Sequence, residues 1–188
     1  MNVKDLPNVI SVSRIVLIAP ILWCLYQGYF SWAICLFVVA GITDALDGYL
    51  AKRFNCESRL GTILDPVADK LLLVFTMLML AYLGFLPWWL FALVMARDVA
   101  ISLVSIKYML QMGSSFKITP PWISKVNTVM QIVLVILVLI DKGWFELYAG
   151  LLPFAFTAVA FSTALSGLFF LRLWFDISKL SAKLHDAE

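Results

Sequence analysis

The chain has 188 residues, 63% of them hydrophobic and 14% charged, with a net charge of +2, and its mean hydropathy is +0.96. Soluble domains carry about 25% charged residues, and disorder needs low hydrophobicity with high net charge, so both are excluded. A charge of +2 is too small to argue for a nucleic-acid partner.

A helix crosses a bilayer with about 20 apolar residues, which leaves room for about six spans and for no separate soluble domain. Apolar helical segments are expected at about 9–26, 30–53, 59–83, 87–110, 120–140 and 147–174. Residues 1–8 then form a juxtamembrane segment, and residues 175–188 a polar cytoplasmic tail. Gly28, the run Gly84-Phe85-Leu86-Pro87, Gly113-Ser114-Ser115 and Asp141-Lys142-Gly143 punctuate the segments. Thr119-Pro120-Pro121 reads as an N-cap with prolines in the first turn. No small-residue cleavage site closely follows residues 15–26, so this stretch is expected to be a retained first span.

With the N-terminus cytoplasmic, one membrane face collects Lys4, Arg14, Lys52, Arg53, Arg59, Lys107, Lys117, Lys125, Arg172, Lys179 and Lys183, and the other only Lys142. This asymmetry fits six spans with both ends inside. The expected architecture is an all-α polytopic membrane protein with six transmembrane helices, a single integral-membrane catalytic domain over 1–188. The lack of a transit-like leader favours a bacterial inner membrane. Lys70, Arg97 and Asp98 fall inside spans; such charges are costly and usually face a protein or water-filled interior. Trp88, Trp89, Trp122 and Trp144 fall at span ends, as an aromatic belt requires.

The most informative stretch is 41–73. Asp44 and Asp47 are spaced i,i+3 near the cytoplasmic end of the second segment, and Asp65 and Asp69 i,i+4 near the start of the third. Each pair therefore shares a helix face. Counted from Lys52 and Arg59, they lie between ~7 and ~15 Å deep. Four converging carboxylates in a low dielectric need cations. Oxygen-only donors favour hard ions, Mg²⁺, Mn²⁺ or Ca²⁺, and four suit a two-metal site for phosphate chemistry. Gly48 and Gly61 either let a diphosphate approach the backbone or serve close helix packing. Lys52, Arg53 and Arg59 either hold phosphate oxygens or anchor the inner face.

The pattern Asp44-x₂-Asp47-Gly48-x₂-Ala51-Lys52-x₈-Gly61-x₃-Asp65-x₃-Asp69 resembles the signature of the CDP-alcohol phosphatidyltransferases. That signature has arginine where this chain has Lys52, and Arg53 follows at once. The resemblance implies transfer of a phosphatidyl group from CDP-diacylglycerol to an alcohol with release of CMP. It implies that Asp44, Asp47, Asp65 and Asp69 hold two divalent ions, that Asp44, Gly48, Lys52 or Arg53, Gly61 and Asp65 surround the donor, and that Asp69 is the base. It places the site on the cytoplasmic side, and family members are often homodimers.

The acceptor is read elsewhere. Ala96-Arg97-Asp98-Val99 and Ile123-Ser124-Lys125-Val126-Asn127-Thr128 resemble segments of eukaryotic-type cardiolipin synthases within that family. Phosphatidylglycerophosphate synthases typically have a second arginine where this chain has Ser105, and glycine and lysine where it has Ser124 and Asn127. A phosphomonoester carries a charge near −2 and suits arginine clamps. A pocket with fewer cations suits the diester of phosphatidylglycerol. Phosphatidylglycerol is therefore the expected acceptor and glycerol 3-phosphate the alternative. Arg97, Lys125, Asn8 and Arg14 are the candidate acceptor contacts, Asn8 and Arg14 also reading as a helix start and an interfacial anchor. A divalent-cation transporter is a remote alternative, weakened because the outer loops offer only Asp141 and Glu146 as an acidic vestibule.

Overall fold

The computed structural model describes the backbone of residues 6–54, 61–112, 122–148 and 150–185, and the side chains of 13–43, 68–104, 122–148 and 150–172. All regular structure among these residues is helical: α1 (Leu6–Tyr26), α2 (Phe30–Phe54), α3 (Gly61–Tyr82), α4 (Trp88–Met112), α5 (Trp122–Gly143) and α6 (Leu151–His185). The expected boundaries hold to within four residues except at the end of α6. There the expected tail from residue 175 continues the helix to His185. No glycine or proline interrupts residues 173–185, and Ile177, Leu180 and Leu184 keep helical spacing. At 1.5 Å per residue a 35-residue helix is about 52 Å long, well beyond the ~30 Å hydrocarbon layer.

Among the described residues two helices, Trp122–Gly143 and Leu151–Arg172, are long and apolar enough to cross a membrane, and Ser13–Tyr26 and Phe30–Thr43 are shorter apolar stretches.

The chain divides into two compact units, one holding α1, α2, α3 and α5 from Val135, the other α4, α5 up to Leu134, and α6. In the first, α1 packs against both α2 and α3. Ile18, Ile21 and Leu25 form the buried stripe of α1 and meet stripes from α2 (Ala33, Phe37, Ala40) and α3 (Leu72, Met77, Leu80). Spacings of three and four put each stripe on one helix face.

Two of the punctuating glycines close helices in the same way. Gly28 and Gly84 have φ of 78° and 80°, a left-handed conformation that costs glycine nothing. After α1, Gly28 N–H donates to Leu25 O (3.1 Å) and Tyr29 N–H to Cys24 O (2.8 Å). After α3, Gly84 N–H donates to Ala81 O (3.1 Å) and Phe85 N–H to Leu80 O (2.9 Å). Both are Schellman caps, which satisfy the last helical carbonyls. The Phe85 ring then meets Phe30 edge-on at 5.4 Å, and Lys142 stands 5.5 Å from the Phe85 ring centroid. Ser31 Oγ donates to Gly143 O at 2.9 Å. The starts of α2 and ends of α3 and α5 are thereby tied together.

In the second unit α4 packs on α6. Leu90, Val94, Arg97 and Val104 are buried on α4, and Val159, Thr163, Ser166 and Phe170 on α6. The spacing is that of an apolar stripe, but polar side chains occupy its middle. Many large apolar side chains face outward instead, among them Trp23, Trp32, Val129, Phe154, Phe161 and Leu168.

Candidate active site

The motif aspartates stand on two helices that both pack against α1. Asp44, Asp47, Gly48, Lys52 and Arg53 lie within α2, and Gly61 and Asp65 within α3, their side chains outside the described ones. Asn8 lies in the first turn of α1, likewise with its side chain outside them. Among the described residues no three histidine, cysteine or acidic side chains form a cation site; three of the four motif aspartates are not among them.

Asp69 is described, and it meets Arg14. The Arg14 Nη1 donates to Asp69 Oδ1, joining α1 to α3. The guanidinium is 2% exposed and the carboxylate 45%. Arg14 continues the buried stripe of α1 four residues before Ile18, while Asp69 lies at the edge of the α3 stripe beside buried Ala68. Lys70, expected inside from its position, is exposed, because the inner face of α3 passes through Ala68, Leu72 and Leu73 instead.

The second unit holds Arg97, which is 6% exposed and faces inward. Its Nη1 donates to Asp98 at 2.7 Å, Nη2 to Ser124 at 2.7 Å and to Ser166 at 2.8 Å, and Nε to Ser166 at 3.2 Å. One guanidinium thus joins α4, α5 and α6. Lys125, next to Ser124, is exposed, with Nζ 5.6 Å from the Trp122 ring centroid.

Polar groups continue along α5. Asn127 is fully buried, and its Oδ1 accepts from Ser162 Oγ at 2.5 Å and Thr163 Oγ1 at 2.9 Å. Its Nδ2, and the Nε2 of Gln131 one turn further on, are buried without a hydrogen-bond partner. Gln131, Ser162 and Ser166 were not among the site residues expected from the sequence. The signal was present: Asn127 and Gln131, like Ser162 and Ser166, are polar residues four apart on otherwise apolar helices.

Among the described residues the regular structure is helical, many large apolar side chains face outward, one unit buries an arginine-centred polar cluster and the other carries the two-helix aspartate motif, features of a class of protein that brings polar chemistry into an apolar surround. The sequence model of the CDP-alcohol phosphatidyltransferase family matches residues 4–170, and the chain belongs to that family of enzymes. It is similar to the CDP-diacylglycerol–glycerol-3-phosphate 3-phosphatidyltransferase of Salmonella choleraesuis (strain SC-B67), with 32% identity over 189 residues, 97% of this chain and 96% of that one. The protein of the same description from Escherichia coli (strain K12) is 31% identical over 193 residues, again 97% and 96% of the two chains. A probable cardiolipin synthase (CMP-forming) of Drosophila melanogaster is 35% identical over 146 residues, 70% of this chain and 45% of that one.

Proposed function

We propose that this protein, embedded in a membrane with its active site on the cytoplasmic side, transfers the phosphatidyl group of CDP-diacylglycerol to a hydroxyl of a glycerol-phosphate acceptor and releases CMP. The outward-facing tryptophans, phenylalanines and aliphatics support the membrane setting, and the bacterial relatives that match end to end support an inner membrane. Glycerol 3-phosphate is the first reading of the acceptor. The observation that carries it is the end-to-end match to glycerol-3-phosphate transferases, and it displaces phosphatidylglycerol as the leading expectation.

Phosphatidylglycerol stays as a second reading on a specific observation. Asp98 offsets one of the two positive charges of Arg97 and Lys125, and Asn127, neutral and fully buried, is bonded to α6 rather than offered as a cation. A group with little net charge suits a monoanionic diester better than a phosphomonoester near −2. The identity to the Drosophila protein in this chain's aligned part points the same way.

The donor set of Asp44, Asp47, Asp65 and Asp69 is oxygen only, which fits two hard divalent ions, Mg²⁺ or Mn²⁺. Such ions would neutralise the diphosphate and the charge left on CMP. The chain's own side chains do the rest. Lys52 or Arg53 holds donor phosphate oxygens. Gly48 and Gly61 leave room for the donor against the helix backbone. Asp69 takes the proton of the attacking hydroxyl, and Lys125 holds the acceptor's phosphate, while Arg97, its Nη1 and Nη2 given to Asp98, Ser124 and Ser166, adds its charge without direct contact. As the alcohol oxygen bonds to the phosphorus of the phosphatidyl group, the bond from that phosphorus to the CMP oxygen breaks.

The test is an acceptor competition. The purified full chain in detergent receives CDP-diacylglycerol, Mg²⁺ or Mn²⁺, and equal glycerol 3-phosphate and phosphatidylglycerol, with products identified by mass. Phosphatidylglycerophosphate supports the first reading and cardiolipin the second. No CMP release with either acceptor would sink both.

A further inference from the structure

We infer that Arg14 is a positioning residue: its buried guanidinium holds the Asp69 carboxylate in the orientation from which it meets the acceptor hydroxyl. The inference rests on the reading of Asp69 as the base.

The pair is asymmetric, and the asymmetry carries the argument. Arg14 is 2% exposed and Asp69 45%. The guanidinium therefore stands behind the carboxylate, in the packing between α1 and α3, while the carboxylate lies at the edge where substrate can reach it. An aspartate at such an edge samples several staggered χ1 rotamers. A charged hydrogen bond to Oδ1 from a donor fixed by packing selects among them. Arginine suits this duty because it stays protonated at any working pH and its planar fork directs its donors. Its backing is rigid: Arg14, Ile18, Ile21 and Leu25 form one buried stripe at spacings of four, three and four.

The alternative duty for Arg14 is direct contact with the acceptor's phosphate, as the sequence suggests. A guanidinium 2% exposed, with Nη1 already given to Asp69, is poorly placed for it. The two duties separate kinetically. A group that binds acceptor equally in ground and transition states acts on KM, whereas one that orients the base acts on kcat.

The experiment compares Arg14→Gln, Arg14→Lys, Asp69→Asn and Ile18→Ala in the full detergent-solubilised chain. Ile18→Ala loosens the same stripe without touching the pair. The expected result for Arg14→Gln is a fall in kcat of about tenfold or more with the acceptor KM within about threefold of the parent. Arg14→Lys, which keeps the charge but loses the fork, recovers part of kcat, and Ile18→Ala keeps it. In thermal unfolding, Arg14→Gln and Asp69→Asn together cost less than the sum of the two alone, the mark of a pair in contact. A KM raised about tenfold at unchanged kcat would assign Arg14 to the acceptor and overturn the inference. So would an Arg14→Gln enzyme with parental kcat. If Arg14→Gln does not fold, Arg14→Lys decides alone: kcat reduced at parental KM supports the inference, and parental kcat overturns it. Turnover by Asp69→Asn is a different failure, because it removes the base itself whatever Arg14 does.

Discussion

Arg97→Met tests whether the arginine-centred interior stabilises the second unit. The side chains of Arg97 and Asp98 are 5% and 13% exposed, so solvent screens their pairing little. Removing one partner of a buried pair costs about 3–5 kcal/mol, mainly because the other charge loses its compensation. The hydrogen bonds from Arg97 to Ser124 and Ser166 go as well, but a hydroxyl rotates readily to a new partner, so they add at most about 1 kcal/mol each. The expected loss is therefore about 3–7 kcal/mol, with the Asp98 pairing the larger contributor. Taking the second charge away tests this division. In Arg97→Met with Asp98→Asn the carboxylate charge is removed as well, and part of the loss should return. The assay is reversible unfolding of the detergent-solubilised chain in an SDS titration, followed by helical circular dichroism. A single variant that loses less than about 1 kcal/mol, or a double variant that loses the full sum, would refute the reasoning.

Asp69→Asn should abolish CMP release while CDP-diacylglycerol still binds, measured by retention of labelled donor; near-normal turnover would remove the proposed base. Gly143→Ala should destabilise by about 1–3 kcal/mol, because a Cβ there would stand 3.0 Å from both Phe30 Cβ and the Ser31 backbone nitrogen. Gly41→Ala, inside α2 with nothing within 4 Å, should be neutral or stabilise by up to about 1 kcal/mol; the two melting curves should shift in opposite directions or only that of Gly143→Ala should fall. Ser105→Arg should move the product ratio of the acceptor competition toward phosphatidylglycerophosphate, and an unchanged ratio would show that this position does not choose the acceptor.

Most of the fold was legible because its signals are local. Gly28 and Gly84 marked helix ends and are left-handed caps. Arg97 was legible as an inward charge, since an arginine amid apolar residues has few other places to go. Its partners were not, because Ser124 and Ser166 lie 27 and 69 residues away in the chain and serine is ordinary in any helix. The link of Arg14 to Asp69 has the same character, a contact across 55 residues. Hydropathy overstated how sharply α6 ends, because Trp174 and Phe175 close the apolar run but nothing after them breaks a helix.

The polar seam between α5 and α6 has a consequence for how the second unit finds its native arrangement. Lipid tails are as apolar as leucine, so apolar contact alone distinguishes poorly among the ways two helices can lie together. Sliding α6 by one turn, about 5.4 Å, would keep leucines and phenylalanines against something greasy. It would also take Ser162 and Thr163 from Asn127 and Ser166 from Arg97. Asn127 so stranded costs about 1–3 kcal/mol, and each of the three hydroxyls, which can turn to a new partner, adds at most about 1 kcal/mol. The seam thus acts chiefly against misregistered alternatives, and it separates the native alignment from its neighbours more than it deepens the native state.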